Sequence, residues 1–317
     1  MLLQIALFFA GLTGLYFGAE WLVKGASRFA CSFNIKPIVV GLTIVAFGTS
    51  MPELVTSVIA SIKHSSDIAM GNVIGSNIAN IGLILGLSAV VQPLRIDMNL
   101  IYREMPIVVG ISVLLYFMGW NGTLSRLEGG VLLGGIFSYT YYVYRLALKE
   151  PDAIELEYKE FEELLETKNN TVTKDLFLIV IGIIGLVGGA YLLVHSAIYI
   201  ARVIGVSELV IGLTVIAVGT SLPELATSVI AAIRKESDIS VGNILGSNIF
   251  NILAVLGIAA MIQPLQVNNA SLRVDMPVML LFSICLIPII TWKLVLTRLQ
   301  GVFLLIGYGI YILWLFR

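Results

Sequence analysis

Two glutamates stand out as the residues of this chain best placed to do chemistry. Glu53 closes the phrase Gly48-Thr49-Ser50-Met51-Pro52-Glu53, and Glu224 closes Gly219-Thr220-Ser221-Leu222-Pro223-Glu224. Both lie deep in long apolar runs, 171 residues apart (224 − 53). A carboxylate at membrane depth is costly and is by default a functional feature. Two acids at matched positions of two copies point to one shared site. The wording around each acid favours a broken helix. Pro52 and Pro223 lack the backbone N–H and clash with the preceding turn, while Gly48 and Gly219 lower the cost of unwinding. Carbonyls released at Ala46, Phe47, Thr49, Ala217, Val218 and Thr220 can then line a cavity, where irregular backbone is tolerated at membrane depth.

Further oxygens surround the pair. Thr49, Ser50, Thr220 and Ser221 carry hydroxyls, and the next apolar run of each copy supplies Asn72, Ser76, Asn77 and Asn80, then Asn243, Ser247, Asn248 and Asn251. Asn72, Ser76 and Asn80 recur at i, i+4 and i+8, as do Asn243, Ser247 and Asn251, so each trio shares a helix face. This donor set is all oxygen, with no His or Cys, which disfavours zinc or copper and suits calcium, sodium or magnesium. Two carboxylates neutralise one divalent cation, and without it they repel one another and attract a proton. The competing structural readings are a protonated structural carboxyl for the glutamates and interhelical hydrogen bonding for Asn77 and Asn248. Gly71, Gly75, Gly242 and Gly246 show the small-xxx-small spacing of close helix packing.

The elements that must position these residues are membrane spans. Of 317 residues, 58% are hydrophobic and 12% charged, against about 25% charged in soluble domains. Ten apolar runs are long enough to cross a bilayer: 3–28, 37–62, 68–91, 104–119, 126–147, 175–201, 209–233, 239–262, 274–292 and 298–316. No Lys or Arg precedes the first run, so it reads as a retained span rather than a cleaved leader. The net charge of −1 and the lack of a basic cluster give no indication of nucleic acid. Cys31 and Cys285 have no metal-ligand spacing and are expected as buried thiols. Glu20, beside Trp21 and Lys24, reads as an interfacial residue.

The repeat covers most of the chain. Gly75-Ser76-Asn77-Ile78 matches Gly246-Ser247-Asn248-Ile249, Gln92-Pro93-Leu94 matches Gln263-Pro264-Leu265, and Met105-Pro106 matches Met276-Pro277. Beyond these the register slips by one, so that Ser125-Arg126-Leu127 pairs with Thr297-Arg298-Leu299. Each copy holds five spans. Five is odd, so the second copy crosses in the opposite sense, the inverted-repeat design of many secondary transporters. The expected fold is therefore an all-α membrane protein of ten transmembrane helices in two inverted five-helix repeats, 1–148 and 175–317. An acidic linker at 149–174 joins them. Five of the 19 Lys and Arg fall on the side of the termini; with those of the linker set aside, nine fall on the other. Positive residues favour the cytoplasm, which predicts extracellular termini and a cytoplasmic linker.

The paired Gly-Thr-Ser-x-Pro-Glu and Gly-Asn-x-x-Gly-Ser-Asn-Ile phrases resemble the calcium/cation antiporter superfamily, nearest its compact prokaryotic sodium/calcium exchangers. That resemblance implies a prokaryotic cell-membrane antiporter, not an enzyme, that needs no cofactor or obligate protein partner. Its transported ions would be calcium and sodium, and it would work by alternating access. Glu53 and Glu224, with the carbonyls of Thr49 and Thr220, would hold calcium. Sodium would use the same glutamates, Ser50, Ser76, Ser221, Ser247 and the carbonyls of Ala46 and Ala217. Exchangers of this kind often carry Asp where this chain has Asn80 and Asn251. That departure keeps open an alternative, exchange of calcium or another divalent cation for protons.

Overall fold

The computed structural model describes residues 2–33, 35–98, 100–147, 172–204, 219–291 and 294–315, and every statement below concerns these. Helix occupies the described part of each expected span. The first copy contributes α1 (Leu2–Ser32), the bent pair α2 (Pro37–Thr49) and α3 (Met51–Ile62), α4 (Ser66–Val91), α5 (Leu100–Asn121) and α6 (Arg126–Ala147). The second contributes α7 (Val172–Val203), α8 (Leu222–Ile233), α9 (Ser237–Ile262), α10 (Ser271–Thr291) and α11 (Arg298–Leu315). Seven of these helices are long and apolar enough to cross a bilayer, and eight crossings result if α2 and α3 form one broken span. The acidic segment expected at 149–174 lies outside the described residues except for its end, where α7 already begins.

α4 and α9 form the centre. Their spans are 78% and 83% buried, against 22% for α1 and 11% for α11, so the polar phrases of both copies sit where lipid cannot reach. Each carries a π-helical segment starting at a matched asparagine, Asn80–Leu85 and Asn251–Val255. Such π-turns interrupt the regular ladder and often mark functional sites.

α1 and α7 pack antiparallel through glycine. A Cβ on Gly11, Gly18, Gly182 or Gly189 would lie 2.6 Å from the backbone nitrogen of Leu193, Leu186, Leu22 or Leu15 respectively. Residue numbers thus rise along one helix as they fall along the other, and each contact has its counterpart 171 residues on. Gly242 and Gly246 press in the same way on the backbone of Ile38 and Leu42. Gly71 and Gly75 have nothing within 4 Å of an added Cβ among the described residues.

Four two-residue strands depart from the all-helical expectation. Leu94 pairs with Leu296, and Leu124 pairs with Leu265. Each ribbon ties a loop of one copy to a loop of the other. Arg126 and Arg298 likewise donate across copies to the carbonyls ending α9 and α4, at Ile262 (3.3 Å) and Val91 (3.4 Å), as basic side chains near a helix C-terminus do.

One reading needs adjustment, and the structure adds detail to two others. Neither cysteine is the buried thiol expected: Cys31 is half-buried, and Cys285 is exposed on an outward face of an apolar span. Glu20, read as interfacial, makes a two-pronged ion pair with Arg234 at the end of α8. Glu53 and Glu224 are not the only acids inside the bundle. Glu104 is buried and accepts a 2.8 Å bond from Tyr139, and its counterpart Asp275 accepts a 3.0 Å bond from Tyr311. Asp175 is buried at the start of α7, taking a 3.4 Å bond from Ser32.

The glycine seam generates a prediction. Gly189→Val places carbon against the backbone of α1 and should lower the thermal midpoint markedly, overpacking costing about 1–3 kcal/mol or more. Gly188→Val, at an open position next to it, should leave the midpoint near wild type in the same thermal-shift measurement.

Candidate cation site

Glu53 lies in the first turn of α3 and Glu224 in the first turn of α8, each after a proline at N1 or N2. Proline is tolerated there because the first N–H groups of a helix have no intrahelical acceptor. Upstream, the absent N–H of Pro52 leaves the Gly48 carbonyl without its usual donor, and the chain turns by 46° between α2 and α3. Each carboxylate therefore sits at the positive end of a helix dipole. Both are essentially inaccessible, at 0% and 1% exposure.

The two glutamates are cross-braced. Ser50, one turn before Glu53, donates its hydroxyl at 2.8 Å to Oε1 of Glu224. Ser221, one turn before Glu224, donates at 3.1 Å to Oε1 of Glu53. This explains why neither serine caps its own helix. It also brings the two helix N-termini face to face.

The threonines and the first asparagines form an outer frame. Thr49 donates to Oδ1 of Asn243 at 3.0 Å, and Thr220 to Oδ1 of Asn72 at 3.4 Å. Asn72 in turn donates to Ser57 (2.9 Å) and to the Glu53 carbonyl (3.2 Å), and Asn243 to Ser228 (3.0 Å). Asn72 and Asn243 share the ligand face in sequence, yet both ends of their amides are taken by protein. They hold the broken helices against α4 and α9. The Ala46 carbonyl accepts from the Ser50 N–H at 3.0 Å and from the Thr49 hydroxyl at 3.3 Å.

What remains unpaired decides the chemistry. Oε2 of Glu53, Oε2 of Glu224, Oδ1 of Asn80, Oδ1 of Asn251 and Oγ of Ser247 are buried with no hydrogen-bond partner. Native interiors satisfy the large majority of buried polar atoms, so matched orphans on the two glutamates and the two asparagines are candidate ligands for a cation. Ser76 is close by, its hydroxyl 3.3 Å from that of Ser221, whose single proton goes to Glu53. No group of three or more His, Cys, Asp or Glu side chains among the described residues could hold a metal. The available donors are thus two carboxylates with neutral oxygens, a set suited to hard cations. Of the twelve residues expected in the site, eleven are described; Ala217 lies outside the described residues.

A family model described as sodium/calcium exchanger protein matches residues 3–145 and 174–317. The chain belongs to the sodium/calcium exchanger family. The sodium/calcium exchanger MaX1 of Methanosarcina acetivorans is 34% identical, with 96% of each chain covered. The inner membrane protein YrbG of Escherichia coli is 37% identical over 99% of this chain and 96% of its own. A solved structure of the sodium-calcium exchanger NCX_Mj, soaked with 10 mM Na+ and 10 mM Sr2+, superposes with a TM-score of 0.86 at 36% identity, covering 98% of both chains. As a member of this family the chain is an integral membrane antiporter and not an enzyme, and the family's transported ions are calcium and sodium.

The cross-brace yields its own test. Ser50→Ala or Ser221→Ala leaves one more carboxylate oxygen buried without a donor, a loss on the order of 1–3 kcal/mol. Each should lower the thermal midpoint of the cation-free protein, and added calcium should recover part of that loss.

Proposed function

We propose that this antiporter exports calcium in exchange for sodium by alternating access. Ten transmembrane helices would form two inverted repeats, 1–148 and 175–317, with extracellular termini and a cytoplasmic linker at 149–174. The antiparallel course of α1 and α7 supports the inversion. So do the two ribbons, which join the loops that such a topology places on the same side. The observation that carries the ion assignment is the set of unpaired buried oxygens on Glu53, Glu224, Asn80 and Asn251.

Calcium would sit between Glu53 and Glu224, with the carbonyls of Thr49 and Thr220 completing its shell and Asn80 and Asn251 facing it. Two carboxylates cancel its charge, so the loaded site is neutral, whereas an ionised empty one is doubly charged. Sodium would use the same carboxylates together with Ser50, Ser76, Ser221, Ser247 and the carbonyls of Ala46 and Ala217. Because the oxygens overlap, the two occupancies exclude one another, and that exclusion converts a sodium gradient into calcium movement. α1 and α7, locked together along their glycine seam, would move as one body across the core and expose the site to each side in turn.

A proton-coupled mode is the second reading. It is favoured by the neutrality of Asn80 and Asn251, which leaves Glu53 and Glu224 as the acids among the proposed ligands. Calcium uptake into sodium-loaded proteoliposomes, with choline-loaded controls, clamped potential and a protonophore, separates the two. Sodium/calcium exchange predicts uptake only with the outward sodium gradient. Sodium-independent uptake driven by an imposed pH gradient, once the protonophore is omitted, would replace it with proton exchange. Glu53→Gln and Glu224→Gln should each abolish uptake while the protein still folds; wild-type rates in either would remove the glutamates from the site. Lowering pH should weaken calcium binding in wild type, since protons and calcium need the same ionised carboxylates, and titrations of binding between pH 5 and pH 8 would show it.

A further inference from the structure

We propose that Asn77 and Asn248 are positioning residues that decide which end of a ligand asparagine faces the ion. The inference rests on the assignment of Asn80 and Asn251 to the cation site. An asparagine amide has a donor end and an acceptor end of nearly equal size. Turned one way it offers a cation an oxygen; turned the other, two N–H groups. Something must choose.

Here the choice traces back to two main-chain carbonyls, which can only accept. Asn77 donates Nδ2 to the Asn248 carbonyl at 3.4 Å and to Sδ of Met279 at 3.7 Å. Its Oδ1 is thereby directed at Asn251, whose Nδ2 donates to it at 3.2 Å. With its nitrogen committed, Asn251 keeps Oδ1 free of any protein donor. The mirror chain begins with Asn248, which donates Nδ2 to the Asn77 carbonyl at 3.5 Å. Its Oδ1 accepts from Nδ2 of Asn80 at 2.9 Å, leaving Oδ1 of Asn80 unpaired. All four asparagines are at most 1% exposed, so they are shielded from bulk solvent.

The wiring crosses between copies. Asn77 orients Asn251, and Asn248 orients Asn80, although Asn77 and Asn80 share one helix and Asn248 and Asn251 the other. Each copy thus sets the polarity of the other's ligand, and both oxygens face the site only while α4 and α9 stay in contact. Hydrogen bonding that merely glued the helices together would need no consistent direction. The observed one gives the amide nitrogen a protein acceptor and leaves the oxygen without a donor on both ligand residues.

Double-mutant cycles test this. The readout is the half-saturating calcium concentration for thermal stabilisation of the purified full-length protein, with the cation-free midpoint recorded alongside. Asn77→Ala and Asn251→Ala should each raise half-saturation about tenfold, on the order of one hydrogen bond to a charged centre. The pair together should cost scarcely more than either alone, because both act through one oxygen. Asn248→Ala with Asn80→Ala should behave the same way. The unbonded pairs, Asn77 with Asn80 and Asn248 with Asn251, should multiply to about a hundredfold. Multiplying effects within the bonded pairs would overturn the proposal. So would a fall in cation-free midpoint with half-saturation unchanged. Serine replaces alanine where a variant does not fold, and failure of both Asn77→Ser and Asn248→Ser to fold would assign these residues to structure alone. A wild-type protein that calcium does not stabilise would overturn the site assignment itself, an outcome visible before any cycle is run.

Discussion

Keeping two carboxylates inside an apolar bundle without a fixed counter-charge is the constraint on which the rest of the structure depends. Among the described residues neither Glu53 nor Glu224 has a Lys or Arg partner; each has one serine hydroxyl and one oxygen without a donor. Such a group is strongly penalised by desolvation. The fold offsets the penalty by placing each acid in the first turn of a helix that starts in mid-bundle, where unpaired N–H groups and the helix dipole stabilise negative charge. A broken helix in turn needs its loosened backbone held. Asn72 and Asn243, clamping the break against α4 and α9, meet that need. A permanent cationic partner would have satisfied the acids more simply, but it would have occupied the place of the cargo.

Reciprocity between the copies runs through every layer. Ser50 serves Glu224 and Ser221 serves Glu53. Thr49 binds Asn243 and Thr220 binds Asn72. Outside the site, each ribbon and each helix-capping arginine also spans the two copies. Neither copy can therefore complete the site alone. Duplication supplies a centre that the two copies build nearly alike, which would suit the proposed alternating access. The symmetry has limits: Ser76 is hydrogen-bonded to Ser221, while its counterpart Ser247 has no partner among the described residues, and the Glu20–Arg234 ion pair has Tyr191 and Lys63 at the corresponding positions.

Much of this was legible in the residues. The offset of 171 announced the duplication, and Gly-Thr-Ser-x-Pro-Glu announced a helix that stops and restarts at an acid. The helix-face rule grouped Asn72, Ser76 and Asn80 correctly, but it could not separate their roles. Periodicity along a helix says which residues share a face and not which neighbour lies opposite. Asn72 turned out to be clamped at both ends, whereas Asn80 keeps a free oxygen, and that difference depends on Ser57, Thr220 and Asn248 in other elements. The tyrosine–carboxylate pairs escaped for a similar reason. Glu104 and Asp275 stand at the starts of spans, and nothing in their spacing shows that Tyr139 and Tyr311 from the following helices bond to them. The two-residue strands carry no alternation long enough to register in sequence.

The central claim is that one set of oxygens holds either calcium or sodium. Equilibrium binding of radioactive calcium to the purified protein, at fixed pH and rising sodium with choline keeping ionic strength constant, tests it most directly. One calcium per chain, displaced fully by sodium and absent in Glu53→Gln, is the predicted result. Calcium binding that sodium leaves undiminished would contradict the account.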